Sequence, residues 1–328
     1  MTRVAAVDCG TNSIRLLICE IAGEDIVELH RTMEIVRLGK GVDATGELDP
    51  AALERTRAAL TRFVEIMEFE EVVDVRMVAT SATRDASNRD DFFSMTAELL
   101  GRIRLGAIAE VISGEEEAML SFRGAVADLD PEEGPFCVID LGGGSTEFIV
   151  GKSDGTILGS HSAQLGCVRV TERIMRSDPP TETEIEIAED YIAEQLSRVE
   201  VIVPIADART FVGCAGTFTT LSALAQGLEV YDAAAIHGSE LRFDALKVLA
   251  REVVAEPATQ RAQHPVIHQG RADVLGGGAT IVRGIVEMIE RNTNVECFTI
   301  SEKDILDGII AGLVDKVQAA ENSDSPRS

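Results

Sequence analysis

A short motif that occurs twice constrains this chain most. Asp8-Cys9-Gly10-Thr11-Asn12-Ser13 returns 132 residues later as Asp140-Leu141-Gly142-Gly143-Gly144-Ser145. Both read Asp-x-Gly-x-x-Ser. Both follow an apolar strand and precede another, so one unit is used twice in a chain of 328 residues. At roughly 150 residues per domain, that length already suggests about two domains. Glycine tolerates positive φ and has no Cβ, so such a turn lets backbone N–H groups converge. Converging N–H groups form a nest for an anion such as phosphate. A Ser or Thr hydroxyl adds a donor, and a strand-end Asp can hold a divalent cation through water. Two such loops facing each other across a cleft would grip successive phosphates. Either loop alone reads equally well as an ordinary turn; the repeated spacing is the signal. No GxxxxGK[ST] loop and no GxGxxG fingerprint occur, which argues against Walker-type and dinucleotide sites.

Composition narrows the function classes. Hydrophobic residues make up 45% and charged residues 26%, an ordinary globular balance. Aromatics are 4% with no Trp, so the cores are aliphatic and base-stacking surfaces are scarce. Thirty Lys and Arg against 56 Asp and Glu give a net charge of -26. That field repels nucleic acid and anionic membrane. An anionic substrate then requires local Arg, backbone N–H groups and a divalent cation. The six cysteines form no CxxC pair, and Cys19, Cys137, Cys214 and Cys297 lie in apolar stretches. They read as small core residues rather than disulfides or zinc ligands. The N-terminal segment lacks a secretory apolar core and no 18-residue apolar run exists, so the expectation is a reduced, cytoplasmic protein with no membrane span.

Periodicity predicts an α/β chain. Strands are expected at 3–7, 14–21, 26–38, 72–79, 107–112, 136–139, 146–150, 156–163, 210–212 and 295–299, with hairpin chemistry at Gly23-Glu24-Asp25. Helices are expected at 51–67, 89–100, 113–126, 182–199, 217–224, 272–289 and 303–317, and a polar loop at Thr80–Asp85. The acidic, Pro-containing stretch Asp128–Pro135 reads as a domain boundary, and the tail from Gln318 as frayed.

Several residues stand out by type and place. Ser113 and Glu116 fit a capping box, and Glu115 suits the helix dipole. Glu117 lies one place beyond the box and reads either as a surface charge or as a general base. Glu147 interrupts the apolar strand Thr146–Val150, which marks it as functional. Arg15, Arg84 and Arg169 each lie near a loop, where arginine is either a surface residue or a phosphate partner. The turn Gly213–Thr217 reads either as an anion-binding helix start or as a turn capped by Thr217. Gly276-Gly277-Gly278 reads as close helix packing. His264 and His268 are four apart, but Pro265 disturbs the helix that would align them on a metal.

Taken together, VDCGTNSIRLLI, ATSATRDASNRDDF, VISGEEEAMLSF, VIDLGGGSTEFIVG, LGCVRVTERI, GCAGTFTTLSAL and ADVLGGGATIV resemble the exopolyphosphatase / guanosine pentaphosphate phosphohydrolase (Ppx/GppA) family, in the family's order from residue 7 to about 283. The resemblance implies two ribonuclease-H-like domains of the actin, sugar kinase and heat-shock chaperone superfamily, with the active site in the cleft between them. It places domain I at 1–125 plus the helix 301–317, domain II at 126–300, and a frayed tail at 318–328. It implies Mg2+-dependent hydrolysis of the terminal phosphoanhydride of inorganic polyphosphate. Glu117 would activate water. Asp140 and Glu147 would position Mg2+ and that water, with Asp8 facing them as a further metal ligand. Thr11, Asn12, Ser13, Arg15 and Gly142, Gly143, Gly144 and Ser145 would bind phosphates, and Arg84 would neutralise the transferring phosphoryl. Ending at 328, the chain matches the short two-domain form, and its acidic surface favours short chains. Guanosine pentaphosphate hydrolysis, or non-hydrolytic sensing of polyphosphate or an alarmone, is the alternative. A homodimer is a family-based expectation.

Overall fold

Strand β1 (Thr2–Cys9) is buried from Val4 onward because helices cover both of its faces. Such a strand reads as a continuous apolar run rather than an alternating one. It begins the computed structural model, which describes residues 1–23 and 25–324. β1 pairs antiparallel with β2 (Ser13–Ala22), which pairs antiparallel with β3 (Asp25–Ile35). In the turn between β2 and β3, Gly23 has φ of 69°, while Glu24 lies outside the described residues. Helices α1 (Val42–Thr45) and α2 (Pro50–Phe69) follow, with Asp49 capping α2 through the Ala51 N–H. Next come β4 (Asp74–Ala79), α3 (Ser81–Asp85), α4 (Arg89–Leu100) and β5 (Glu110–Val111). β4 runs parallel to β1 and β5 parallel to β4, so the sheet order is β3-β2-β1-β4-β5. Ala5, Val7 and Cys9 face α2 through Ala59, Leu60, Phe63 and Met67.

The second sheet repeats this plan. After α5 (Gly114–Ala125) come β6 (Phe136–Leu141), β7 (Thr146–Gly151) and β8 (Ile157–Ala163), again an antiparallel meander. Helices α6 (Cys167–Arg173) and α7 (Glu182–Ile202) lead to β9 (Thr210–Cys214), which is parallel to β6. Then follow α8 (Ala215–Ala225), α9 (Ala233–Ile236), β10 (Glu240–Arg242), α10 (Phe243–Ala255), α11 (Ala258–Arg261), α12 (Leu275–Asn292) and β11 (Cys297–Ile300). The order is β10-β11-β9-β6-β7-β8. Apart from the added edge strand β10, it matches the first sheet and gives the expected ribonuclease-H-like arrangement twice. On one face of β6, Phe136 and Val138 meet α5 at Ala118, Phe122 and Ala125. On the other, Cys137, Ile139 and Leu141 join the larger core with α7, α8 and α12. The last helix, α13 (Ile305–Asp324), packs on β1 and β2.

The chain divides into two units, Met1–Ser113 with the segment from Ile305, and Gly114–Asp304. The division expected at 125/126 therefore falls at 113/114. The reason is packing: the apolar face of α5 completes the second core. Asp128–Pro135 lies inside that unit, where Lys303 Nζ stands 2.6 Å from Asp128. Other expectations shift as well. Thr80–Asp85 holds a short helix, not a loop, because the Thr80 carbonyl accepts the Arg84 N–H. The strand expected at 107–112 shrinks to β5, which pairs with Val78 and Ala79 alone. α8 begins at Ala215 with Cys214, not Thr217, at its cap. Ala215 takes φ of 67°, and a side chain on Gly216 would overlap the Arg271 guanidinium, which fills that turn. α13 continues through Asp324, so residues 318–324 are helical, while 325–328 lie outside the described residues. Gly277 and Gly278 do let α12 press against Cys167, Thr171 and Thr217. His264 pairs with Glu256 at 3.1 Å, and His268 accepts the Gly270 N–H.

Candidate active site

The second glycine loop is anchored by its carbonyls. Gly142 N–H closes the turn on Ser145 O at 3.0 Å. The first turn of α6 then donates to the loop: Cys167 N to Gly142 O at 3.1 Å, and Val168 N and Arg169 N to Gly143 O at 2.9 and 3.1 Å. Arg169 Nε adds a bond to Gly144 O at 2.8 Å. In a trans peptide the C=O and the following N–H point in opposite directions. Fixing these three carbonyls on α6 therefore turns the N–H groups of Gly143, Gly144 and Ser145 to the other side, as a nest for an anion. The approach requires glycine at 166, where a Cβ would fall 2.3 Å from Gly143 O.

The first loop is built the same way. Gly10 N–H closes on Ser13 O, again at 3.0 Å. Gly39 N donates to Thr11 O at 2.8 Å, and Val36 N and Arg37 N donate to Asn12 O at 3.1 and 2.9 Å. The N–H groups of Asn12 and Ser13 thus point away from residues 36–39. Gly39 permits this contact, since a Cβ there would lie 2.3 Å from Thr11 Cγ2. Thr11 Oγ1 also meets Ser81 Oγ of α3 at 3.3 Å. Arg84 sits on the last turn of α3, where Nη1 donates to Ile112 O at 2.9 Å. The anchors Gly39 and Ser81 were invisible as such in the sequence; the Gly39-Lys40-Gly41 spacing was the available hint.

The carboxylates gather in the second unit. Asp140 and Glu147 are direct cross-strand partners on β6 and β7. They share parity with Val138 and Ile149 and so face α5. Both are buried, Glu147 to 1% exposure. Ser121 Oγ of α5 donates to Asp140 Oδ2 at 2.5 Å, and Ser162 Oγ of β8 donates to Glu147 Oε1 at 2.7 Å. Glu117 is buried one helical turn before Ser121, on the same face of α5. In the first unit, Arg15 occupies the place of Glu147 opposite the strand-end Asp. Its Nη2 and Nε reach Asp8 Oδ2 at 2.8 and 3.0 Å. Arg15, expected on phosphate, and Asp8, expected on metal, are therefore paired with each other.

Among the described residues no group of three or more His, Cys, Asp and Glu side chains is arranged as a metal cage. Magnesium needs none: it is held by one or two carboxylates, waters and substrate phosphates. The adjacent carboxylates of Asp140 and Glu147 fit that chemistry. Asp8, with a guanidinium on one oxygen, fits it less well. Beside the loop, burial pushes the Cys167 thiol up to about 11, despite the opposing Arg271 charge.

Known proteins resemble the chain over nearly its whole length. Exopolyphosphatase 2 of Mycobacterium tuberculosis is 50% identical over 317 residues, covering 95% of this chain and 99% of that protein. The crystal structure of an exopolyphosphatase from Cytophaga hutchinsonii superposes with a TM-score of 0.85 at 26% identity, covering 96% of this chain and 98% of that one. That of the Aquifex aeolicus member of the Ppx/GppA family gives 0.77 at 31% identity, covering 96% and 98%. The model of the Ppx/GppA phosphatase family matches residues 17–317. The doubled glycine loop, the buried carboxylates beside one copy and these likenesses agree, and the chain belongs to the Ppx/GppA phosphatase family.

Proposed function

We propose that the chain is an exopolyphosphatase, which hydrolyses the terminal phosphoanhydride of inorganic polyphosphate and releases orthophosphate. One observation carries this: a row of N–H groups at Gly143, Gly144 and Ser145 follows directly on β6, whose Asp140 shares a face with Glu147 and is bonded by Ser121 of α5, the helix that carries the buried Glu117. The mycobacterial relative's name points to the same reaction. Glu117 takes the proton of the attacking water. The water oxygen bonds to the terminal phosphorus while the bond to the bridging oxygen breaks, leaving the chain one phosphate shorter. The loop N–H groups and the Ser145 hydroxyl hold the phosphoryl oxygens, as phosphoryl transfer requires. Asp140 and Glu147 would hold Mg2+, which when bound supplies charge neutralisation. In the first unit, Thr11, Asn12 and Ser13 form an equivalent cradle, and Arg84 is assigned to neutralise phosphoryl charge. Six free cysteines agree with a cytoplasmic site of action.

The test is phosphate release with Mg2+ from short polyphosphate, long polyphosphate and guanosine pentaphosphate in parallel. Release from polyphosphate is expected, faster from short chains. Release from the pentaphosphate alone would reassign the chain to alarmone hydrolysis, and none from any substrate would favour a sensor. Glu117→Gln is expected to lower kcat by about 10²–10⁴ while leaving the thermal unfolding temperature unchanged. Full turnover in that variant would remove Glu117 as the base.

A further inference from the structure

Residues 114, 117 and 121 of α5 are spaced i, i+3, i+7 and so line one face of the helix. Glu117 stands between two contacts on that face. At the start of the helix, Gly114 abuts Ser162; a Cβ at 114 would fall 2.6 Å from Ser162 Cβ and 2.8 Å from its Oγ. One turn beyond Glu117, Ser121 donates to Asp140 at 2.5 Å. Ser162 in turn donates to Glu147 at 2.7 Å. Ser121 is fully buried on a helix whose neighbours at 118, 122 and 125 are apolar. A hydroxyl is a costly choice there unless it is used.

We propose that Ser121 and Ser162 are positioning residues that lock the Glu117 helix to the Asp140–Glu147 strand pair. Each hydroxyl fixes one oxygen, and with it the plane, of a buried carboxylate. Together with Gly114 they set where the Glu117 carboxylate stands relative to the other two. The inference rests on the reading of Glu117 as the base that activates water. Its physical weight is the sensitivity of catalysis to geometry: a misplacement of about 1 Å can lower a rate about 10²-fold. A merely structural serine would instead lower the folded fraction and leave the folded molecules fully active.

The experiment compares wild type with Ser121→Ala, Ser162→Ala, Gly114→Ala and, as a control on the same strand, Ser160→Ala. It measures kcat and KM for short polyphosphate with Mg2+, and thermal unfolding for each protein. Ser121→Ala and Ser162→Ala are expected to lower kcat by about 10–100-fold while KM stays within about threefold. Gly114→Ala keeps both hydroxyls but pushes the helix start off Ser162, and is expected to lower kcat in the same way. Ser160→Ala is expected to match wild type. If wild type turns over and the serine variants keep kcat within twofold, the positioning role is wrong while the functional reading stands. Losses that follow only the folded fraction would equally overturn it. A wild type that releases no phosphate would sink the functional reading and this inference with it.

Discussion

Positions 15 and 147 occupy the same place in the two units and carry opposite charge. Each lies seven residues after the strand-end Asp and directly across the ladder from it. Arg15 neutralises Asp8, whereas Glu147 puts a second carboxylate beside Asp140. Like charges directly opposite on a sheet are destabilising, and the Mg2+ proposed between Asp140 and Glu147 would offset that. From the sequence, Glu147 was legible because it breaks an apolar strand. The partner of Arg15 was not, because pairing depends on register. A second buried group near the loop is testable. Burial holds Cys167 at about 11, well above the ordinary thiol value, so it stays protonated through neutral pH. Iodoacetamide at pH 8 is expected to leave Cys167 unmodified in the folded protein, read by mass spectrometry. Rapid labelling before unfolding would contradict that environment.

Among the elements, the two loops take their shape because a neighbouring segment holds their carbonyls. α6 does this for one and residues 36–39 for the other. Gly166→Ala would drive a methyl carbon into Gly143 O, 2.3 Å away, and disturb the nest. A fall in kcat/KM of tenfold or more, as an order-of-magnitude expectation, with the fold retained by circular dichroism, is the predicted result. At the start of α7, Thr181 and Glu184 form a capping box, and Glu184 Oε1 also accepts the Ser177 N–H. The backbone bond from Thr181, then those from Ser177, hold the Glu184 carboxylate down to about 2. A depressed folded value contributes stability above the unfolded value of about 4.3, and loses it as pH falls toward about 2. The unfolding temperature of wild type should therefore exceed that of Glu184→Gln at pH 6 by more than at pH 3. A gap that widens on acidification would refute the sign. α4 was legible to the residue, from Arg89 to Leu100, because its period runs for three turns. α3 and α6 were not, since five and seven residues carry too little periodicity and form only against the loops they pack on.

For the whole molecule, the net charge of -26 opposes a polyanionic substrate at long range. Salt screens exposed charges within about 30 Å at 0.01 M and about 8 Å at 0.15 M. Repulsion between like charges weakens as ions are added, so kcat/KM for long polyphosphate is expected to rise severalfold between 10 and 150 mM KCl at constant free Mg2+. A steady fall would show that local cations outweigh the global field. No helix among the described residues is long and apolar enough to cross a membrane. The duplicated plan was readable from two motifs 132 residues apart, but the assignment of α5 was not. Its apolar face suits either core, and only the packing of Phe122 and Ala118 on β6 and β7 placed it with the second unit.

The sequence by itself determined the α/β class, the duplication, the two glycine loops and the residue types that the proposed phosphate chemistry draws on. Those follow from local patterns: strand runs, turn glycines and a carboxylate out of place. The tertiary structure decided which way the loop N–H groups point, because that depends on α6 and residues 36–39 taking the carbonyls. It also decided that Arg15 meets Asp8, and that Ser121 and Ser162 meet Asp140 and Glu147. Such partners are set by strand register and helix docking, which bring together residues that no local pattern relates.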